Sequence, residues 1–227
     1  MGEPEFREAE RAHGSLLAPL EKRCLVWLAE RMPPWVNSDH LTLLGLIAMV
    51  GVGLCYWTAR RHPMALSLGA FFLAVNWFGD SLDGTLARVR NRQRPQYGFY
   101  VDHVVDTFSA LFVLGGLMLS GYMSPAIAAA LLIAYYMLSI EVYLATYTIG
   151  TFHLSFWIFG PTELRILLAI GNIALICHPM AVVLGRQFLL FDVGGVVGIA
   201  GMAVVVITSF VRHARLLYFA KPMTGGE

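Results

Sequence analysis

The sequence predicts an all-α integral membrane protein, with six transmembrane helices preceded by an interfacial amphipathic helix. Of the 227 residues, 57% are hydrophobic and only 14% are charged, and the mean hydropathy is +0.64. Soluble domains carry about 25% charged residues, so this composition is typical of a membrane protein. Six apolar runs are each long enough to cross about 30 Å of hydrocarbon. The length allows one membrane domain and no second sizeable unit.

The N-terminal region precedes the first long apolar run. Residues 1–14 are polar and lack the apolar core of a signal peptide. In residues 15–32 apolar positions recur near helical spacing with charged residues between them, which is typical of a helix lying in the membrane interface. Pro33 and Pro34 end this helix, because the residue before a proline disfavours helical geometry. We therefore expect a tail and amphipathic helix over 1–36, a six-helix membrane domain over 37–221, and a C-terminal tail over 222–227.

The six predicted spans follow one another with short connections. Ser38 or Asp39 is expected to cap the first of them. Pro179 interrupts the fifth run, since proline cannot continue a helix without losing a hydrogen bond. The first predicted span covers 41–58, and the second runs from about residue 64 to the region of Asp80. The remaining four cover 102–121, 125–147, 164–184 and 193–211.

Lys and Arg residues are distributed unevenly between the predicted loops. With six spans, both termini, the second–third loop and the fourth–fifth loop share one side of the membrane. Thirteen of the 16 Lys and Arg residues fall on that side, and the remaining three are Arg60, Arg61 and Arg186. Because positively charged loops stay in the cytoplasm, we expect both termini and the second–third loop to be cytoplasmic.

Four aspartates flank this second–third loop. Asp80 and Asp83 are three residues apart and Asp102 and Asp106 are four apart, which puts each pair on one helical face. Unneutralised carboxylates at a membrane surface repel one another and cost desolvation energy. Hard divalent ions with oxygen ligands relieve both costs, and Mg²⁺ commonly brings phosphate with it. The residues thus predict a metal and phosphate site, with structural ion pairs to Arg88 and the neighbouring arginines as the alternative.

The pattern around these aspartates, D-x2-D-G-x2-A-R-x9-G-x3-D-x3-D, has eight fixed positions. It resembles the hallmark of the CDP-alcohol phosphotransferase family, the integral membrane enzymes of phospholipid synthesis. The resemblance implies six transmembrane helices around a polar cavity open to the cytoplasm. It also implies a reaction in which an alcohol hydroxyl attacks a CDP-linked donor and CMP is released. The eight positions are Asp80, Asp83, Gly84, Ala87, Arg88, Gly98, Asp102 and Asp106.

The same resemblance implies roles for single residues. Asp80, Asp83 and Asp102 would hold metal, and Asp106 would complete the shell of a second ion and act as general base. The cofactor would be Mg²⁺ or Mn²⁺, two ions in all. A shorter phrase of the family, matched here in part, adds the hydroxyl of Thr42 to the nucleotide site. The residues predicted to bind the nucleotide are Thr42, Asp80, Gly84, Ala87, Arg88 and Gly98.

The sequence leaves the substrate pair open. Glu141 in the fourth span, and Glu163 and Arg165 at the start of the fifth, are candidates for the acceptor site, with helix capping as the alternative for the last two. Short matches at Gly150-Thr151, Thr162-Glu163 and Asp102-His103 resemble the choline/ethanolamine branch, which uses CDP-choline or CDP-ethanolamine and diacylglycerol. The phosphatidyltransferase branches use CDP-diacylglycerol and a water-soluble alcohol. The family resemblance also implies a homodimer in the lipid bilayer.

Two other classes share parts of the pattern. Membrane prenyltransferases also use paired aspartates and Mg²⁺, but they carry an NDxxD-type motif, and here Asn76 lies four residues before Asp80. A divalent-cation transporter would place its carboxylates at mid-membrane on broken helices. No basic stripe interleaved with aromatic residues indicates a nucleic-acid partner. Three scattered cysteines argue against a disulfide framework.

Overall fold

The computed structural model describes residues 18–149 and 161–220. These residues form helices and one small hairpin, so the predicted all-α membrane class is confirmed. The elements are α1 (Ala18–Arg31), α2 (Ser38–Ala59), α3 (Ala65–Val89), α4 (Pro95–Ser120), α5 (Pro125–Ile149), α6 (Pro161–Cys177), β1 (Met180–Val183), β2 (Arg186–Leu189) and α7 (Leu190–Ala220).

Five of the described helices, α2, α3, α4, α5 and α7, are long and apolar enough to cross a membrane. Their outer surfaces carry large apolar side chains, such as Ile47, Trp57 and Phe210, that remain more than half exposed. Such surfaces fit an acyl-chain environment, and the chain is a multi-pass integral membrane protein. Helix α6 has 17 described residues, or about 26 Å at 1.5 Å per residue, which is less than the bilayer core. The count of six spans therefore stays a prediction.

The predicted fifth span is wrong beyond Cys177. Helix α6 ends there, and the following residues form the antiparallel hairpin β1–β2 instead. Pro179 cannot extend the helix, and the β-branched Val182 and Val183 favour a strand. Leu184 and Gly185 form the two-residue turn, both with positive φ, which matches the twist of the paired strands.

The start of α2 also differs from the prediction. Asn37, rather than Ser38 or Asp39, caps the helix: its side chain accepts a hydrogen bond from the His40 backbone N–H at 3.0 Å. His40 reciprocates, because its Nδ1 accepts from the Asn37 backbone N–H at 3.4 Å. The hydroxyl of Ser38 is thereby available to donate to the Asp83 carbonyl at 2.8 Å, which ties the start of α2 to α3.

Helices α3 and α4 both extend further into the central stretch than predicted. Helix α3 continues to Val89 and α4 begins at Pro95, so all four aspartates lie inside helices, roughly two turns from their ends. Proline at the first helical position loses no hydrogen bond, which explains why α4 starts there. Only five residues, 90–94, connect the two helices.

Helix α2 packs against both α3 and α4, with backbone touching backbone at glycines. A Cβ added to Gly79 would lie 2.6 Å from the Leu41 carbonyl oxygen, and one added to Gly116 would lie 2.4 Å from the Gly53 carbonyl oxygen. Helix α6 packs against α3, and α5 packs against both α4 and α7. The larger apolar core joins the membrane helices around the buried Tyr56.

Helix α1 covers the end of α3 that carries the aspartates. Leu25 and Ala29 are buried against Leu82 and Leu86 of α3. Arg90, which follows α3, donates to the carbonyls of Met32, Pro33 and Val36 and so holds the turn after α1. Trp27 stays more than half exposed, as expected for a helix with one face toward lipid.

The glycine contact between α2 and α4 gives a first prediction. We expect Gly116→Ala to destabilise the protein by about 1–3 kcal/mol, because the new methyl group would overlap the Gly53 backbone. Gly115→Ala is the matched control, since a Cβ there meets no atom within 4 Å and alanine favours helix over glycine. Thermal unfolding in detergent measures both. Equal melting temperatures for the two variants would contradict the contact.

Candidate active site

Three of the four predicted aspartates meet in one cluster. Asp80 of α3 and Asp102 and Asp106 of α4 each present one carboxylate oxygen, and these oxygens lie within 4.8 Å of one another. All three side chains are half-buried. The spacing of three and four residues placed the acidic groups on single helical faces, and the common packing of α3 and α4 on α2 turns those faces toward each other.

The chemistry of this cluster suits a hard divalent cation. Carboxylate oxygens are the ligands that Mg²⁺ and Mn²⁺ prefer. Three carboxylates this close repel strongly unless a cation lies among them. The Arg165 guanidinium forms an ion pair with Asp80 Oδ2, and the other oxygen of Asp80 stays available as a ligand.

Asp83 lies beside the cluster with its carboxylate held by hydrogen bonds. Its Oδ2 accepts from the Thr42 hydroxyl at 2.6 Å, and its Oδ1 accepts from the Gly84 backbone N–H at 2.5 Å. Its carboxyl group lies close to those of Asp80 and Asp102. Thr42, predicted to touch the nucleotide, thus has Asp83 as its observed side-chain partner. The metal-binding role of Asp83 stays a prediction.

The small residues of the motif differ in their surroundings. A Cβ added to Gly98, at the exposed start of α4, would meet no atom within 4 Å, so space remains there. One added to Gly84 would meet only the Arg88 guanidinium, at 3.5 Å. Arg88 is exposed and donates to the Thr85 hydroxyl at 3.1 Å, while Ala87 is half-buried. The nucleotide-binding roles of Gly84, Ala87, Arg88 and Gly98 stay predictions.

Helix α5 contributes a polar stripe that sequence reasoning missed. Tyr135, Ser139 and Tyr143 recur every four residues, the Ser139 hydroxyl donates to the Tyr135 carbonyl at 2.9 Å, and both tyrosines lie near Asp106. That four-residue recurrence within an apolar helix was the signal available in the sequence. His103 packs beside them, with its ring 4.1 Å from that of Phe99 and 4.9 Å from that of Tyr143.

The three candidates for the acceptor site lie in different places. Arg165 reaches the aspartate cluster through Asp80, and Glu163 lies half-buried in the same first turn of α6. Glu141 instead pairs with His213 of α7, with 2.7 Å between Oε1 and Nδ1. The Gly150-Thr151 match lies outside the described residues.

Comparison with known sequences decides the family. The profile of the CDP-alcohol phosphatidyltransferase family matches residues 35–211, which contain every residue of the cluster. The chain belongs to this family. The match begins just before α2 and ends within α7, so it includes the predicted spans and excludes α1.

Individual relatives match over shorter stretches. Cholinephosphotransferase 1 of Gallus gallus is 35% identical over 108 residues, which cover 45% of this chain and 32% of the relative. A CDP-diacylglycerol–serine O-phosphatidyltransferase of Encephalitozoon cuniculi is 39% identical over 90 residues, which cover 37% of this chain and 23% of the relative. The matches thus span about a third and a quarter of these two relatives.

The cluster predicts that metal affinity depends on its carboxylates. We expect Asp102→Asn to weaken Mn²⁺ binding about 10- to 100-fold, since losing a charged ligand removes roughly 1.5–3 kcal/mol. Asp39→Asn removes one charge from an exposed position in the first turn of α2 and serves as the control. Electron paramagnetic resonance of free Mn²⁺ measures both affinities. Unchanged binding in Asp102→Asn would contradict the metal site.

The bond between Thr42 and Asp83 gives a separate prediction. Thr42→Val keeps the shape of the side chain but leaves a partly buried carboxylate without its hydroxyl donor. We expect it to lower the free energy of unfolding by about 1.5–3 kcal/mol. Thr42→Ser, which keeps the hydroxyl, should lose much less. Chemical unfolding in detergent compares the two, and equal losses would show that the hydroxyl contributes nothing.

Proposed function

We propose that the protein is a membrane enzyme that transfers a substituted phosphate group from a CDP-linked donor to the hydroxyl of an alcohol. The observation that carries this is the cluster of Asp80, Asp102 and Asp106 oxygens within 4.8 Å, in a chain of this family. The hydroxyl oxygen forms a bond to the phosphorus that bears the substituent. The bond from that phosphorus to the oxygen bridging to the CMP phosphate breaks, CMP leaves, and the hydroxyl proton passes to a base.

The aspartates supply the charge that such a donor requires. When bound among Asp80, Asp83, Asp102 and Asp106, two Mg²⁺ or Mn²⁺ ions would neutralise the diphosphate and stabilise the attacking and leaving oxygens. Asp106 lies near Tyr135 and Tyr143 of α5, and we assign it the acceptor hydroxyl. It orients the hydroxyl and accepts its proton during attack.

The nucleotide is proposed to lie between the ends of α3 and α4. The exposed guanidinium of Arg88 offers a fixed cation to the diphosphate. The open space at Gly98 and the small side chains of Gly84 and Ala87 accommodate cytidine and ribose. Thr42 contributes by holding Asp83 in place.

The orientation follows from the distribution of charged residues. The excess of Lys and Arg on the side of the α3–α4 connection supports a cytoplasmic active site with both termini on the same side. A donor and acceptor would then meet at the inner leaflet. Homodimerisation stays a prediction.

The two rival classes receive less support from the geometry. Asn76 is not adjacent to Asp80, as a prenyltransferase motif would require, and it is buried between α2 and α3, where it donates to the Gly45 carbonyl at 3.0 Å. The aspartates lie on the continuous helices α3 and α4, whereas transporter sites use broken helices.

Release of CMP tests the proposal. We expect purified protein with Mn²⁺ or Mg²⁺ to release CMP from a CDP-linked donor, and Asp106→Asn to lower kcat about 100-fold or more, because the base is lost. Asp39→Asn should retain activity. Separate reactions supply CDP-diacylglycerol with water-soluble alcohols, and CDP-choline or CDP-ethanolamine with diacylglycerol; the lipid product identifies the branch. Full activity in Asp106→Asn would contradict the assigned base, and metal transport without CMP release would favour the transporter.

A further inference from the structure

One carboxylate of helix α1 bonds to two membrane helices at the active-site end. Glu21 is half-buried, and its Oε1 accepts from the Trp77 indole N–H of α3 at 2.8 Å and from the Thr162 hydroxyl of α6 at 2.6 Å. Both bonds go to the same oxygen atom. Hydrogen bonds to an ionised acceptor are stronger than neutral ones, so this junction holds α1, α3 and α6 together.

The residues that bond to Glu21 share helical faces with an ion pair of the active site. Trp77 precedes Asp80 by three residues on α3, and Thr162 precedes Arg165 by three residues on α6. Residues three apart on a helix lie on the same face. The Arg165 guanidinium pairs with Asp80. The faces of α3 and α6 that meet at Glu21 therefore also carry Asp80 and its cation.

The rest of α1 is firmly attached to α3. Leu25 and Ala29 lie in one apolar cluster with Leu82 and Leu86, and Trp77 packs against that cluster. Glu21 is one turn before Leu25, so the buried face of α1 continues into the junction. The start of α6 makes polar contacts near the aspartates: Thr162 donates to Glu21, and Arg165 pairs with Asp80.

We propose that Glu21 is a positioning residue for the aspartate cluster: by fixing the first turn of α6, it holds Arg165 against Asp80 and so orients the Asp80 carboxylate toward Asp102 and Asp106. The inference rests on the proposed function only in that the cluster binds divalent metal. It gives the amphipathic helix, which lies outside the matched family region, a role in the geometry of the site.

Because both hydrogen bonds end on one oxygen of Glu21, two substitutions at this position separate the loss of the acceptor from the loss of the charge. Glu21→Gln keeps a carbonyl oxygen for both donors, and we expect its Mn²⁺ dissociation constant to stay within about twofold of wild type. Glu21→Met has a similar length and no comparable acceptor, and we expect roughly 10-fold weaker Mn²⁺ binding, the usual effect of losing support around a metal ligand. Glu30→Ala, an exposed carboxylate in the last turn of α1, is the control.

A double-mutant cycle distinguishes positioning from general stabilisation. If Glu21 acts through Arg165, Glu21→Met should change Mn²⁺ affinity less than twofold in an Arg165→Gln background, because the contact it supports is already absent. Thr162→Val removes the hydroxyl through which α6 donates to Glu21, and it should weaken Mn²⁺ binding as much as Glu21→Met does. It takes the place of Glu21→Met in the cycle if Glu21→Met does not fold. Affinities are measured on folded protein in detergent, well below each melting temperature.

The Mn²⁺ affinities of these variants decide between the possible roles of Glu21. Wild-type affinity in both Glu21→Met and Thr162→Val, an equal loss in Glu21→Gln and Glu21→Met, or additive losses with Arg165→Gln would overturn the inference. Absence of Mn²⁺ binding in wild-type protein would contradict the proposed function itself. Weak binding in Glu21→Met, recovery in Glu21→Gln and no further loss with Arg165→Gln would support the positioning role.

Discussion

The direct contact of the α2 backbone with both of its neighbours is the constraint on which the site depends. The aspartates come from two helices, α3 and α4, that each pack along α2. At Gly79 and at Gly116 no side chain separates the backbones, so the distance of each helix from α2 has little freedom. Small residues allow this approach in membranes, where helices associate by packing rather than by the hydrophobic effect. The separation of the carboxylates follows from these two contacts.

Once the carboxylates are close, electrostatics governs their surroundings. Three carboxylates within 4.8 Å would raise the energy of an empty site, and the chain offsets part of it with Arg165 on Asp80 and with the two donors on Asp83. The contacts come from α6, from α2 and from the backbone of α3 itself. Buried charges need such partners because the membrane interior supplies no water. In the proposed function, a divalent ion among the carboxylates would lower their mutual repulsion further.

The sequence predicted the membrane class, the approximate helices and the aspartate motif, because each depends on local composition or short spacing. It did not predict contacts that depend on tertiary packing. Asn37 resembles any other polar residue before a helix until His40 completes the cap, and Glu21 resembles a surface charge until Trp77 and Thr162 approach it. The hairpin at 180–189 was missed because an apolar run was assumed to continue past Pro179. Pro179 itself was the available signal, because proline cannot continue a helix, and α6 ends two residues before it, at Cys177.

Helix α7 is attached to α5 in part through polar contacts, one of which uses the ionisable residue Glu141 within a span. The surface of α7 is mostly exposed, and the helix is held to α5 by the packing of Met202 and Val205 against the buried Leu138 and Val142 together with polar contacts. Near its start, Asp192 accepts from the backbone and hydroxyl of Ser124, and near its end His213 contacts Glu141. In an apolar medium each such bond favours association, because the separated groups find few other partners. Glu141 thus has a partner that attaches α7 to α5, and its role in the acceptor site stays a prediction.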